Sequence, residues 1–159
     1  MLQANRDQVE AILANGLMNF VNATGDKSRL EMATIVLRDV KDVFFENIRA
    51  NDTCMFSFPS MVVLPEIRVE CFVAVLNDRV IVAWRKGLFM KKTVSWVIPK
   101  HTIKQASWAV VNRPGVTRGG SALLTIIADD TIEIAMPKDK PAVADAIVAA
   151  LRTSTEYTY

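Results

Sequence analysis

Histidine is almost missing from this 159-residue chain: His101 stands alone between Lys100 and Thr102, with no serine, cysteine or carboxylate motif beside it. A His-based triad or a His-ligated metal centre therefore lacks its parts. The two cysteines, Cys54 and Cys71, form neither a CxxC pair nor a Cys/His spacing, and they are too few for a secreted disulfide framework. Both read as buried small hydrophobes. No apolar run, residues 61–64 included, approaches the roughly 20 residues of a membrane span. The first residues mix Asn, Arg, Asp and Gln where a signal peptide is apolar. These absences point to a cytoplasmic protein that uses no cofactor and no metal and turns over no small-molecule substrate.

What is present is a globular composition, 51% hydrophobic and 23% charged, at a length that suits one ordinary domain with an extra element or two. The net charge of +2 hides an uneven distribution. Residues 1–65 hold 6 basic and 8 acidic groups, residues 66–118 hold 10 and 3, and residues 119–159 hold 3 and 6, giving −2, +7 and −3. A basic middle third is a hint of an anionic partner, although strand-rich domains also keep Lys and Arg on solvent faces for solubility.

Helical periodicity comes first. Val9, Ile12, Leu13, Leu17, Phe20 and Val21 recur at i, i+3, i+4 spacing between residues 2 and 24, with a stop signal at 22–25. Ser28 followed by Glu31 reads as a capping box for a second helix ending near Asn51, its face lined by Leu30, Ala33, Leu37, Val40, Phe44 and Ile48. Neither helix can be stable alone, because helical stability comes mostly from packing an apolar face, so the pair, residues 1–51, is expected to dock. Seven short β-branched and aromatic runs follow, at 53–58 (closed by Pro59), 68–76, 79–85, 93–98, 102–111, 121–128 and 131–136. A last helix opens at Pro141 with Asp139 as its cap, and residues 153–159 form a polar tail.

Seven antiparallel strands closed by one helix is the element order of the pleckstrin-homology (PH) superfold. The segment Leu76-Asn77-Asp78-Arg79, the turn residues 86–92, and Val97-Ile98-Pro99 with Ile103 after it resemble the bacterial PH-like and GRAM-like domains. The resemblance covers about residues 53–152, and the PH-like domain is bounded at 52–152. It implies an α+β fold, a PH-like seven-stranded antiparallel barrel or sandwich with a C-terminal helix, preceded here by the helical pair. It also implies a noncatalytic module that binds proteins, lipids or copies of itself.

Two stretches stand out as candidate contact surfaces. Arg85, Lys86, Leu88, Phe89, Met90, Lys91 and Lys92 set three apolar residues at a hairpin tip between two pairs of cations, an arrangement suited to an anionic membrane surface or to packing within the fold. Met61, Val62, Val63 and Leu64, between Pro59 and Pro65, read as an uncharged loop that contacts the added helices or a second subunit. They lie where PH domains normally carry phosphoinositide-binding cations. The loop 112–120 has three glycines and two arginines but no phosphate-loop signature. Trp84, Trp96 and Trp108 read as packing rather than as a nucleic-acid platform, so a protein partner or a homo-oligomer is expected, with anionic lipid as the alternative.

Overall fold

A computed structural model of the chain describes residues 5–64, 68–86, 92–111, 121–137 and 139–152. Helices α1 (Arg6–Thr24) and α2 (Arg29–Asn47) precede β1 (Cys54–Val63), β2 (Arg68–Leu76), β3 (Arg79–Lys86), β4 (Lys92–Pro99), β5 (Gln105–Val111), β6 (Ser121–Ile127) and β7 (Thr131–Met136). The closing helix is α3 (Pro141–Arg152). The fold is α+β and PH-like in element order. Its seven strands form one antiparallel sheet in the order β4-β3-β2-β1-β7-β6-β5. The sheet is not closed into a hydrogen-bonded barrel, and β4 and β5 are its edges.

Local chemistry moves several boundaries away from the sequence reading. Asn5 and Gln8, rather than anything earlier, open α1 through reciprocal capping bonds of 2.9 Å, and Gly25 ends it at φ 72°, where its N–H bonds to Val21 O. The Ser28–Glu31 capping box does not form. Ser28 has helical backbone angles (φ −63°, ψ −21°) instead of the extended ones of a cap, and the Asp26 carboxylate, two residues away, takes the Ser28 N–H at 3.0 Å that Glu31 would have accepted, along with its hydroxyl at 2.6 Å. The second helix stops at Asn47, four residues early, because Ile48 is extended and Asp52 folds back to accept the Arg49 N–H at 2.7 Å.

β1 runs straight through Pro59, which pairs in register with Phe72. The ladder to β7 on its other side is in register only at Val62–Ile134, so Pro59 lies where β1 has a single ladder partner and a missing N–H costs little. β5 starts at Gln105, since residues 100–102 form a 3₁₀ turn closed by the Thr102 hydroxyl on Pro99 O.

β2 and β3 are buried on both faces. Cys71, Val73, Val75, Val80, Val82 and Trp84 join an inner core to which all seven strands and α3 contribute, so the sheet curls around one interior. Phe72, Ala74, Leu76, Ile81 and Ala83 point the other way, into a second cluster built with Val9, Leu13, Val36, Val40 and Phe44 of the two helices. α1 lies tight on β1. The Ser57 hydroxyl donates to Leu13 O at 2.7 Å and the Asn19 amide to Met55 O at 3.0 Å. Gly16 makes this approach possible, since a Cβ there would press on Cys54 Sγ and stand 2.9 Å from the Ser57 amide nitrogen.

Gly16→Ala is therefore expected to destabilise the protein by about 2 kcal/mol, even though alanine is the better helix former, because overpacking against backbone outweighs the propensity gain. Urea unfolding of the two proteins measures it, and a neutral or stabilising result would mean that α1 has room to retreat.

Candidate functional site

The β3–β4 hairpin splits its cations by strand alternation. Arg85 and Lys86 end β3, Lys92 begins β4, and residues 87–91, with Leu88, Phe89, Met90 and Lys91, lie outside the described residues. Arg85 is half-buried on the helix-covered side. With Arg68, Glu70 and Met61 of the sheet and Val36 and Asp39 of α2 it lines a cleft of about 290 Å³. Lys86 and Lys92 are exposed and sit directly opposite one another in the ladder. Like charges so placed are unfavourable in isolation.

The stretch Met61, Val62, Val63 is not a loop. It is the end of β1, paired with Glu70, Val69 and Arg68, and Val62 and Val63 are buried. The apolar character that suggested a contact loop comes from a strand between two neighbours. Met61 nevertheless reaches a surface: with Phe20, Met32, Phe58, Pro59 and Met136 it lines a groove of about 250 Å³ between α2, β1 and β7. Here the Ser60 hydroxyl donates to Ala135 O and bridges the two strands. Met32, on the rim, is 49% exposed. Leu64 packs partly on the inner core.

Residues from the basic third turn inward in a way that composition does not reveal. The Arg79 guanidinium forms a fork on Asp52, at 3.1 and 2.6 Å, and also reaches Asp78 at 2.6 Å and the carbonyl of Asn47 at the end of α2. One side chain thus ties α2, the link to β1 and the β2–β3 turn, and it satisfies a terminal helix carbonyl. Lys100 is 5% exposed as a residue, and its ammonium lies 3.6 Å from Met55 Sδ. Burial pushes its pKa down to about 8, against the pull of Asp78 and Cys54. Sequence spacing gave no sign that this lysine is interior.

Cys54 belongs to the helix-side cluster and Cys71 to the inner core, so the sheet separates them. Burial raises both thiols to about 12, in the range of inert packing residues. Trp84 and Trp96 meet edge to face at 5.4 Å, and the Trp108 indole donates to Asp145 of α3 at 2.7 Å. His101 is exposed, and the loop 112–120 lies outside the described residues. Among the described residues no group of three or more His, Cys, Asp or Glu is placed to hold a metal ion, and no helix is long and apolar enough to cross a membrane.

A curled antiparallel sheet plugged by a C-terminal helix, with open edges and surface clefts, is the architecture of PH-like domains. The hSac2 domain of the human phosphoinositide phosphatase Sac2 is similar over 79% of this chain and 82% of its own, at 11% identity and a TM-score of 0.50. A pleckstrin homology domain from Shewanella amazonensis aligns over 73% and 94%, at 13% identity and a TM-score of 0.48. The C-terminal domain of an unknown protein from Leishmania infantum aligns over 72% and 93%, at 11% identity and a TM-score of 0.48. No protein-family model and no curated protein matches the chain.

Two stability predictions follow from the inward-turned cations. Arg79→Ala leaves Asp52, whose side chain is 6% exposed, without its guanidinium, and it should cost about 3–5 kcal/mol in urea unfolding. An unchanged midpoint would show that the fork is not what holds α2 in place. Lys100 behaves as a buried base. Between its folded pKa of about 8 and its unfolded 10.5 the unfolded chain binds more protons, so its contribution to stability rises with pH across that window. The two thiols act oppositely above pH 9, where only the unfolded chain releases their protons, but they are common to wild type and Lys100→Met. Wild type should therefore gain on Lys100→Met by about 1 kcal/mol between roughly pH 7.5 and 9. A constant difference would place the ammonium in contact with water.

Proposed function

We propose that this chain is a noncatalytic PH-like binding or scaffolding module that works in the cytoplasm through protein–protein contact, self-association included. In this proposal residues 1–51 are a docked helical pair, 52–152 the module and 153–159 a tail, and the finer kinship is with the bacterial PH-like and GRAM-like group. One observation carries the reading: the groove formed by Phe20, Met32, Phe58, Pro59, Met61 and Met136 is concave, mainly apolar and rimmed by an exposed methionine. Met32, Met61 and Met136 contribute to its apolar lining, beside Arg29 and Glu70, and methionine repacks readily against varied protein surfaces. Where PH domains normally carry phosphoinositide cations, this chain offers Met61, Val62 and Val63 at the end of β1, followed by Leu64.

A second reading, peripheral attachment to an anionic membrane, is favoured by the Lys86–Lys92 pair. Two exposed like charges held opposite each other are relieved by an anion placed between them.

A photo-reactive residue at Met32 should yield protein adducts in cells, while the same group at exposed Lys104, outside the groove, should not; equal yields would overturn the protein-contact reading. Liposome cosedimentation decides the second. Recovery should rise with anionic lipid, fall with salt and drop in Lys86→Gln/Lys92→Gln. Equal recovery on neutral and anionic vesicles would end it.

A further inference from the structure

The two edges of the sheet are not equivalent. α3 occupies that of β5: the Arg152 guanidinium donates to Ala106 O at 2.7 Å, and Trp108 is held to Asp145. Among the described residues β4 touches α2 but receives no comparable hydrogen bond. Among the described residues no group outside β3 is seen to bond to the main chain of residues 92–98, and at the strand's last residue the Pro99 carbonyl accepts from the Thr102 hydroxyl. An unguarded edge of this length presents a row of free N–H and C=O groups, a ready template for another strand.

The side chains of β4 describe the same incompleteness. Val80, Val82 and Trp84 of β3 are buried, yet their cross-strand partners Ile98, Trp96 and Val94, which pack on the margin of the inner core, are only half-buried at the end of the sheet. On the opposite face Val97 is 40% exposed. A further strand beside β4 would cover both sets.

Charge selects the occupant. β4 begins at exposed Lys92, opposite Lys86, and its far end borders a groove of about 380 Å³ lined by Trp96, Val97, Pro99, Asp129 and Asp130. One end is cationic and the other anionic. Two such strands placed antiparallel about a two-fold axis set each cationic end against the other's anionic end, so a single geometry makes every charge contact favourable twice.

We propose that two copies of this chain pair through β4, antiparallel about a two-fold axis, with Lys92 of each copy against the Asp129–Asp130 turn of the other, merging the two sheets. This rests on the protein-contact reading and names its partner as a second copy. Strand addition supplies main-chain hydrogen bonds, the alternating side chains supply covered apolar area, and the end charges fix direction.

The test is sedimentation equilibrium of the full chain, with folding of each variant verified by circular dichroism. Wild type should be dimeric at low salt, and Lys92→Glu, or Asp129→Lys with Asp130→Lys, should weaken association by about tenfold. All three substitutions in one chain should restore it, because every contact is then reversed together. Val97→Arg, at an exposed position, should also dissociate the dimer and serves if a reversal variant does not fold. Amide exchange of residues 93–98 should slow as concentration rises. A wild type that stays a single chain overturns the pairing, while crosslinking at Met32 still decides the wider reading. A dimer indifferent to charge reversal and to Val97→Arg overturns the β4 interface alone.

Discussion

β2 and β3 carry apolar side chains on both faces, and that is the constraint from which the rest of this molecule is built. Such strands cannot sit at a sheet surface, since either face left in water would forfeit roughly 25 cal/mol for each Å² of apolar area exposed. The inner face is covered by curling the sheet on itself and plugging it with α3, as in PH-like domains generally. The outer face, with Phe72, Leu76 and Ile81, is what α1 and α2 are for. The helices are thus a second half of the core, and Gly16 is the point at which one of them comes close enough to β1 to serve as such.

Polar chemistry fixes where those covers go. Hydrophobic burial is non-directional, but the Arg79 fork on Asp52, with a third contact to the end of α2, has one geometry. It places the helix terminus over the β2–β3 turn and thereby sets the register of α2 along the sheet. The basic middle third is consumed in part by such work. Arg79 and Lys100 are buried and Arg85 stands half-buried in a cleft beside Asp39 and Glu70, so the surface is less cationic than a count of +7 suggests. Lys86 and Lys92, which remain outside, acquire their significance from being opposite one another.

An open sheet leaves two edges, and the fold treats them differently. α3 reaches β5 with Arg152, which bonds the Ala106 carbonyl, and with Asp145, which takes the Trp108 indole, whereas among the described residues β4 has β3 as its ladder partner and only a side contact with α2. The surfaces that can do something are therefore peripheral: a methionine-lined groove where α2 meets β1 and β7, and an edge strand with opposite charges at its two ends.

Much of this was legible in the residues. Helical spacing located both N-terminal helices, strand-and-turn chemistry found all seven strands in order, and Pro141 marked α3, because these signals are local and repeat along the chain. Continuous apolar runs at 71–76 and 80–84 are themselves the mark of strands buried on both sides, so the need for an outer cover was written there. What escaped was whatever depends on a partner distant in sequence. Pro59 looked like a stop until β7 proved to be in register with β1 only at Val62, and Ser28 looked like a cap until Asp26 proved to hold its N–H and hydroxyl. Arg79, Lys100 and Gly16 could not be ranked above other arginines, lysines and glycines, since their roles come from Asp52, Met55 and Ser57, each tens of residues away. The sequence by itself determined the elements and their order, because those follow from neighbours three or four residues apart. Only the tertiary structure decided which charges are buried, which strand edge is left open and where a groove remains, because those follow from the way separate elements share one interior.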